Sequence, residues 1–168
     1  FSSLTWSTNV MPIIQLGLIP IPIDIDLETL NVGSKNFLKT IAIHPNIKAF
    51  FISNILGFCS DLDVISEHCK ANDIYLIEDN CESLGSVYKD KKLGNYGVAS
   101  TFSSYVGHHL STIEGGVICT DNEDLANMVC IVRAHGWDRN LTEASKESLK
   151  KKHNINDFYD LYTFYELA

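Results

Sequence analysis

Ile74-Tyr75-Leu76-Ile77-Glu78-Asp79 is the stretch on which the fold turns. Four apolar residues, two of them β-branched, run straight into two carboxylates. So short an apolar run reads as a strand buried on both faces, the kind found in parallel sheets. A carboxylate that directly follows such a strand is costly to desolvate unless it has a partner. Upstream, Ser60 reads as a helix N-cap with Asp63 three residues on, Leu62, Ile65 and Cys69 mark one helical face, and Asn72 is the stop. Ile47–Ile52, before that helix, is a second buried strand. Strand, helix, strand in this order predicts an α/β fold with a largely parallel sheet covered by helices on both faces.

The flanking segments fit the same plan. Gly17–Asp24 is extended, because Pro20 and Pro22 push the residues before them toward β or polyproline conformations. Asn36–Ile43 is a helix closed by Pro45. Val87-Tyr88 and Lys92-Leu93 flank a charged turn and form a small hairpin, and Ala99–Ser103 and Gly116–Thr120 are further strands. Asp121 caps a helix carrying Leu125, Met128, Val129 and Val132 on one face, and a polar helix covers Thr142–Lys152. Phe1-Ser2-Ser3-Leu4 reads as the end of a buried strand and the aromatic segment up to Ala168 as one that needs a neighbour, so a fragment of a longer protein is expected.

The 168 residues carry 13 basic against 21 acidic side chains, a net charge of −8, with 45 % hydrophobic residues. This composition excludes a disordered chain and disfavours nucleic acid as a partner, which needs a basic stripe. Lys150, Lys151 and Lys152 read as a solvated helix face. The greasiest run, Val10–Ile25, is broken by three prolines and too short to span a bilayer, so no membrane association is expected. Five cysteines without a C-x-x-C pair read as reduced, mostly buried thiols in a cytoplasmic protein. The His108-His109 pair and Glu114 match no metal-ligand spacing, and no metal is expected.

In such sheets ligands bind beyond the carboxyl ends of the strands, where Asp79 and Ser103 lie. Taken alone, Asp79 is equally a helix-capping loop residue and Ser103 an ordinary strand-end serine. Three segments in order carry more: Leu76-Ile77-Glu78-Asp79-Asn80-Cys81-Glu82-Ser83-Leu84-Gly85-Ser86, Lys92-Leu93-Gly94-Asn95-Tyr96-Gly97, and Ser103 through His108 to Glu114-Gly115-Gly116. With Leu4-Thr5-Trp6-Ser7-Thr8-Asn9 at the start, they resemble the DegT/DnrJ/EryC1/StrS family of pyridoxal-phosphate-dependent sugar aminotransferases and dehydratases over essentially the whole chain.

The resemblance implies a three-layer α/β domain, the cofactor-binding large domain of the type I pyridoxal-phosphate transferase fold, with 138–168 beginning a linking region. It implies that Asp79 pairs with the cofactor's pyridinium nitrogen, Glu82 lies against one ring face, Trp6 stacks on the other, and Ser103 binds phosphate. For Trp6 an ordinary core tryptophan stays open.

The informative departure is His108, at the place where the family's aminotransferases carry a lysine. The nearest lysines are Lys92 and Lys146. An imidazole cannot form a Schiff base with the cofactor, but it moves protons near neutral pH. The His-His signature resembles the subgroup of 4-keto-6-deoxy-sugar 3-dehydratases, which use pyridoxamine 5′-phosphate held non-covalently. That implies a nucleotide-linked 4-keto-6-deoxy sugar as substrate, with His108 as the catalytic base. After His109 only Cys119 and Cys130 remain, eleven apart, which favours the branch without an iron–sulfur cluster. That branch takes its amine from L-glutamate. A GDP-linked sugar is expected, with CDP as the second choice, and so is a homodimer. An aminotransferase with a lost or relocated lysine, and a non-catalytic member of the fold, are the competing readings.

Overall fold

The structure, a computed structural model, describes residues 1–155. It divides into two compact units, Phe1–Cys119 and the segment from Thr120 onward.

In the first unit, α1 (Ser7–Gln15) and α2 (Ser34–Ile43) precede β1 (Ala49–Ser53), α3 (Leu62–Ala71) and β2 (Tyr75–Asp79). A small hairpin of β3 (Val87–Tyr88) and β4 (Lys91–Lys92) then leads to β5 (Ala99–Ser103) and β6 (Gly116–Cys119). The main sheet has the order β1-β2-β5-β6. The first three strands are parallel and β6 runs antiparallel beside β5. The largely parallel sheet is thus as expected, with one antiparallel strand at the end. Phe1–Ser3 extends the pattern: Ser2 pairs in parallel with Ile23 and donates its N–H to the Phe51 carbonyl.

One face of the sheet is sealed. Phe50 and Ile52 of β1 and Leu76 of β2 pack with Phe37 of α2 and Leu62, Ile65 and Cys69 of α3, all buried. The Phe37 and Phe50 rings lie 5.0 Å apart. Because side chains alternate along a strand, the other face carries Ser53, Ile77, Asp79, Thr101 and Ser103.

Local sequence rules explain most boundaries. The turn between β3 and β4 is Lys89-Asp90, both at positive φ, the conformation that matches the twist of a two-residue hairpin. Two caps differ from expectation. Helix α3 starts at Leu62 with Asp61, not Ser60, in the N-cap position, and no side chain caps it. The Asp61 carboxylate instead accepts the Ser34 backbone N–H at 2.7 Å, together with the Ser34 hydroxyl, and so caps α2, whose own N-cap is Gly33. Burial opposes ionisation of Asp61, but these hydrogen bonds outweigh it and hold its carboxyl below the ordinary value. Gly17–Asp24 forms no regular strand: it enters the pairing only at Ile23, since two of its residues are prolines without an N–H.

The second unit holds α4 (Glu123–Arg133) and α5 (Glu143–His153). The cap of α4 is Asn122, whose side chain accepts the Leu125 N–H at 3.0 Å, rather than the expected Asp121. Its buried stripe is rotated: Ile131 is buried with Leu141 and Leu149 against Met128, while Val132 is exposed. Thr142 caps α5 as a side-chain acceptor for the Ser145 N–H.

The five cysteines are free, but only Cys69 is buried; Cys59, Cys81 and Cys130 are half-buried and Cys119 is exposed, which corrects the expectation of mostly buried thiols. Among the described residues, no helix is long and apolar enough to cross a membrane and no group of three or more His, Cys, Asp or Glu side chains is placed to hold a metal ion.

Candidate functional site

The carboxyl edge of the sheet collects the polar residues. Asp79 ends β2 and pairs in register with Ser53 of β1 on one side and Thr101 of β5 on the other. Period-two alternation places Ser103 on the same face as Thr101 and one step further out. Asp79 and Ser103, 24 residues apart in sequence, therefore share one face at one edge.

Asp79 is held from several sides. Its Oδ1 accepts the Cys81 backbone N–H at 3.0 Å and the Thr101 hydroxyl at 3.4 Å, and its Oδ2 accepts the Asn9 side-chain amide at 2.6 Å. Burial pushes the Cys81 thiol up to about 12, reinforced by its hydrogen bond to Asp79. The preceding carboxylate does a different job. Glu78 is fully buried and accepts the backbone N–H groups of Gly94 at 2.8 Å, Tyr96 at 2.6 Å and Gly97 at 2.8 Å. Strand alternation sends Glu78 to the sealed face and Asp79 to the open one.

Trp6 stands in the N-cap position of α1 and is 75 % exposed, outside the core of this unit. Asn9, one turn on, bonds to Asp79, so the start of α1 lies against the sheet edge. Glu82 is exposed, and its Oε2 accepts the Leu56 N–H at 2.9 Å, in a 3-10 turn where Leu56 and Gly57 both have positive φ. Oε1 keeps no protein partner among the described residues. The Ser103 hydroxyl accepts the Tyr105 N–H at 3.1 Å, which leaves its own proton free to be donated.

His108 sits in the connection from β5 to β6. That connection is closed by Ser104, whose N–H donates to the Gly115 carbonyl at 2.9 Å and whose carbonyl accepts the Thr112 N–H at 2.9 Å. It leaves the sheet at the same edge as Asp79. His108 is half-buried with its ring 5.9 Å from that of Tyr105, edge to face, while His109 is exposed. Among the described residues, the Nδ1 of His108 is buried without a hydrogen-bond partner. Such atoms are rare, because an unpaired buried polar group is costly.

The fold thus brings Asp79, Ser103 and the turn bearing His108 to one edge, and Trp6 beside them through α1. It adds Asn9, Ser53 and Thr101, which sequence reasoning did not single out. Thr101 was accessible through the period-two relation to Ser103. For Asn9 the only signal was its place one helical turn after Trp6.

Comparison with known proteins identifies the family. The chain is 40% identical over 162 residues to GDP-4-keto-6-deoxy-D-mannose 3-dehydratase of Yersinia pseudotuberculosis, covering 96% of this chain and 40% of that protein. It thus spans about two fifths of the length of the curated relatives it matches. A solved structure of the Escherichia coli GDP-4-keto-6-deoxy-D-mannose 3-dehydratase with bound hydrated pyridoxal phosphate superposes with a TM-score of 0.79 at 39% identity, covering 85% of this chain and 36% of that one. A second, of a GDP-4-keto-6-deoxymannose 3-dehydratase with a trapped pyridoxal phosphate–glutamate geminal diamine, gives a TM-score of 0.79 at 33% identity over 99% of this chain and 45% of that one. The α/β fold is that of the pyridoxal-phosphate-dependent aminotransferases. With residues 1–159 matching its sequence profile, the chain belongs to the DegT/DnrJ/EryC1/StrS aminotransferase family.

Proposed function

We propose that this chain is part of the cofactor-binding domain of a pyridoxamine-phosphate-dependent 3-dehydratase that acts on a GDP-linked 4-keto-6-deoxy sugar, with L-glutamate as amino donor. The observation that carries the reading is His108: an imidazole where the family's aminotransferases have lysine, half-buried, with an Nδ1 that no atom of the described residues satisfies. The relatives named above support the substrate class.

The residues present fit the cofactor. Asp79 is fixed by donors on both oxygens, yet Oδ2 accepts only one hydrogen bond and keeps a lone pair for a ring N–H. Trp6 offers an open ring face, and Glu82 an oxygen without a protein partner. The Ser103 hydroxyl has a proton to donate to a phosphate oxygen. When bound, the cofactor supplies an amine that condenses with the C4 ketone and a ring that accepts electrons. Asp79 keeps a negative charge beside the ring nitrogen. Trp6 and Glu82 orient the ring without a covalent bond. The His108 imidazole takes up one proton and delivers one to the departing C3 oxygen, which leaves as water. In net terms the sugar loses one oxygen atom while glutamate is oxidised to 2-oxoglutarate and ammonium is released. The intact protein works in this reading as a cytoplasmic homodimer.

The test is a turnover assay on the full-length protein with the GDP-linked keto sugar, glutamate and cofactor. A product lighter by one oxygen, with 2-oxoglutarate formed in step, is the expected result. His108→Asn retains cofactor binding and loses turnover by about 10²–10⁴. An amine appearing at C4 in place of C3 deoxygenation overturns the reading in favour of an aminotransferase.

A further inference from the structure

Asn9 is 4 % exposed and lies at the third position of α1. Its side-chain nitrogen is within hydrogen-bond distance of three oxygens: Thr5 Oγ1 at 2.9 Å, Ser53 Oγ at 2.8 Å and Asp79 Oδ2 at 2.6 Å. An amide NH₂ group has only two protons. The two hydroxyls are already bonded to each other, so each has a neutral alternative to Asn9. Asp79 Oδ2 has none: among the described residues Asn9 is the one N–H or O–H donor to that oxygen. A charged acceptor also makes the stronger bond. Asn9 therefore spends one proton on Asp79 and the other on the hydroxyl pair.

From the opposite end, the backbone N–H of Asn9 donates to the Trp6 carbonyl at 3.1 Å. One residue thus links the carboxylate at the sheet edge with the Trp6 backbone at the start of the helix. Cys81 and Thr101 restrain Oδ1, and Asn9 restrains Oδ2, so the carboxylate cannot turn about its own axis without breaking the Asn9 bond.

We infer that Asn9 is a positioning residue that sets the orientation of the Asp79 carboxylate, and with it the protonation of the cofactor's ring nitrogen. The inference rests on the pyridoxamine-phosphate reading above. Asn9 touches no substrate atom in it and acts through Asp79.

The experiment uses the full-length protein loaded with pyridoxamine phosphate carrying an isotopic label at the ring nitrogen. The nitrogen resonance distinguishes a protonated from a neutral ring, and titration gives the affinity. Asn9→Ser keeps a polar group in the polar nook, so the fold is preserved, but its hydroxyl is too short to reach Asp79. Asn9→Leu keeps the approximate shape and removes the donor. Both are expected to move the resonance toward the neutral-ring position and to weaken cofactor binding, Asn9→Ser by about ten-fold, as for one lost charge-assisted hydrogen bond. Asp79→Ala sets the fully neutral limit. Wild-type resonance and affinity in either folded Asn9 variant, with both altered in Asp79→Ala, overturn the inference and leave the cofactor reading standing. A wild-type protein whose resonance and affinity do not respond to Asp79→Ala overturns the cofactor reading itself.

Discussion

His108 can be tested by exchange as well as by removal. His108→Lys places a primary amine where the imidazole stands. The expected outcome is loss of 3-dehydration, with gain of a covalently attached cofactor that borohydride traps and mass spectrometry finds on residue 108. His109, exposed one position on, is the internal control: if His109→Asn is inactive while His108→Asn keeps full turnover, the histidines have been assigned the wrong way round. That a partnered carboxylate ends β2 was legible in the sequence, because a carboxylate after an apolar strand demands a partner. Asn9 was not, since its partner is 70 residues away and an amide in a first helical turn is ordinary. The choice between Glu78 and Asp79 was legible only with the resemblance; strand alternation in the structure supplies its physical cause.

Among the elements, α2 depends on a side chain from outside itself. Asp61→Asn replaces the anionic acceptor at the Ser34 N–H by a neutral one and is expected to lower stability by about 1 kcal/mol at neutral pH, the difference between a charge-assisted and a neutral hydrogen bond. The Asp61 carboxyl titrates below its ordinary value in the folded protein. Its contribution is therefore complete above the unfolded value of about 4 and is lost as pH falls through the lowered folded value. Denaturation curves of wild type and Asp61→Asn should thus be separated at pH 7 and converge in acid. A gap that persists unchanged at the lowest pH would refute the cap. The loop before β5 depends on Glu78 in the same way. Glu78→Gln removes the charge that all three backbone N–H groups face and leaves at least one of them without an acceptor, and a loss of about 3 kcal/mol is expected from the denaturant midpoint, with the slope unchanged. At Gly97 a Cβ would collide with the Leu76 carbonyl oxygen, so Gly97→Ala should be as damaging. Helix α1 was not legible in the sequence, but strands β1, β2, β5 and β6 and helices α2 to α5 were, from apolar runs and helical periods. Their ends were not, because Ser60, Asp61 and Ser34 compete for the same hydrogen bonds across two helices that only the tertiary fold brings together.

At the scale of the whole molecule, the turn that carries His108 also exposes Tyr105, Val106, Leu110 and Ile113. Exposed apolar side chains on one turn are what the proposed homodimer would cover. Sedimentation of the full-length protein is expected to give a dimer, and a monomer with an intact, saturable cofactor site would count against it. The expected covering of the aromatic run Tyr159–Tyr165 lies outside the described residues. The parallel order of the sheet was legible because each strand announced itself; the antiparallel return of β6 was not, since nothing in a four-residue apolar run encodes its direction. The Glu78 anchor has a consequence for how the molecule opens. The amides of Tyr96 and Gly97 belong to a loop, yet their protons are locked onto a carboxylate inside the sheet. In a hydrogen–deuterium exchange map they should exchange as slowly as β2, so that solvent reaches them only when the sheet itself comes apart.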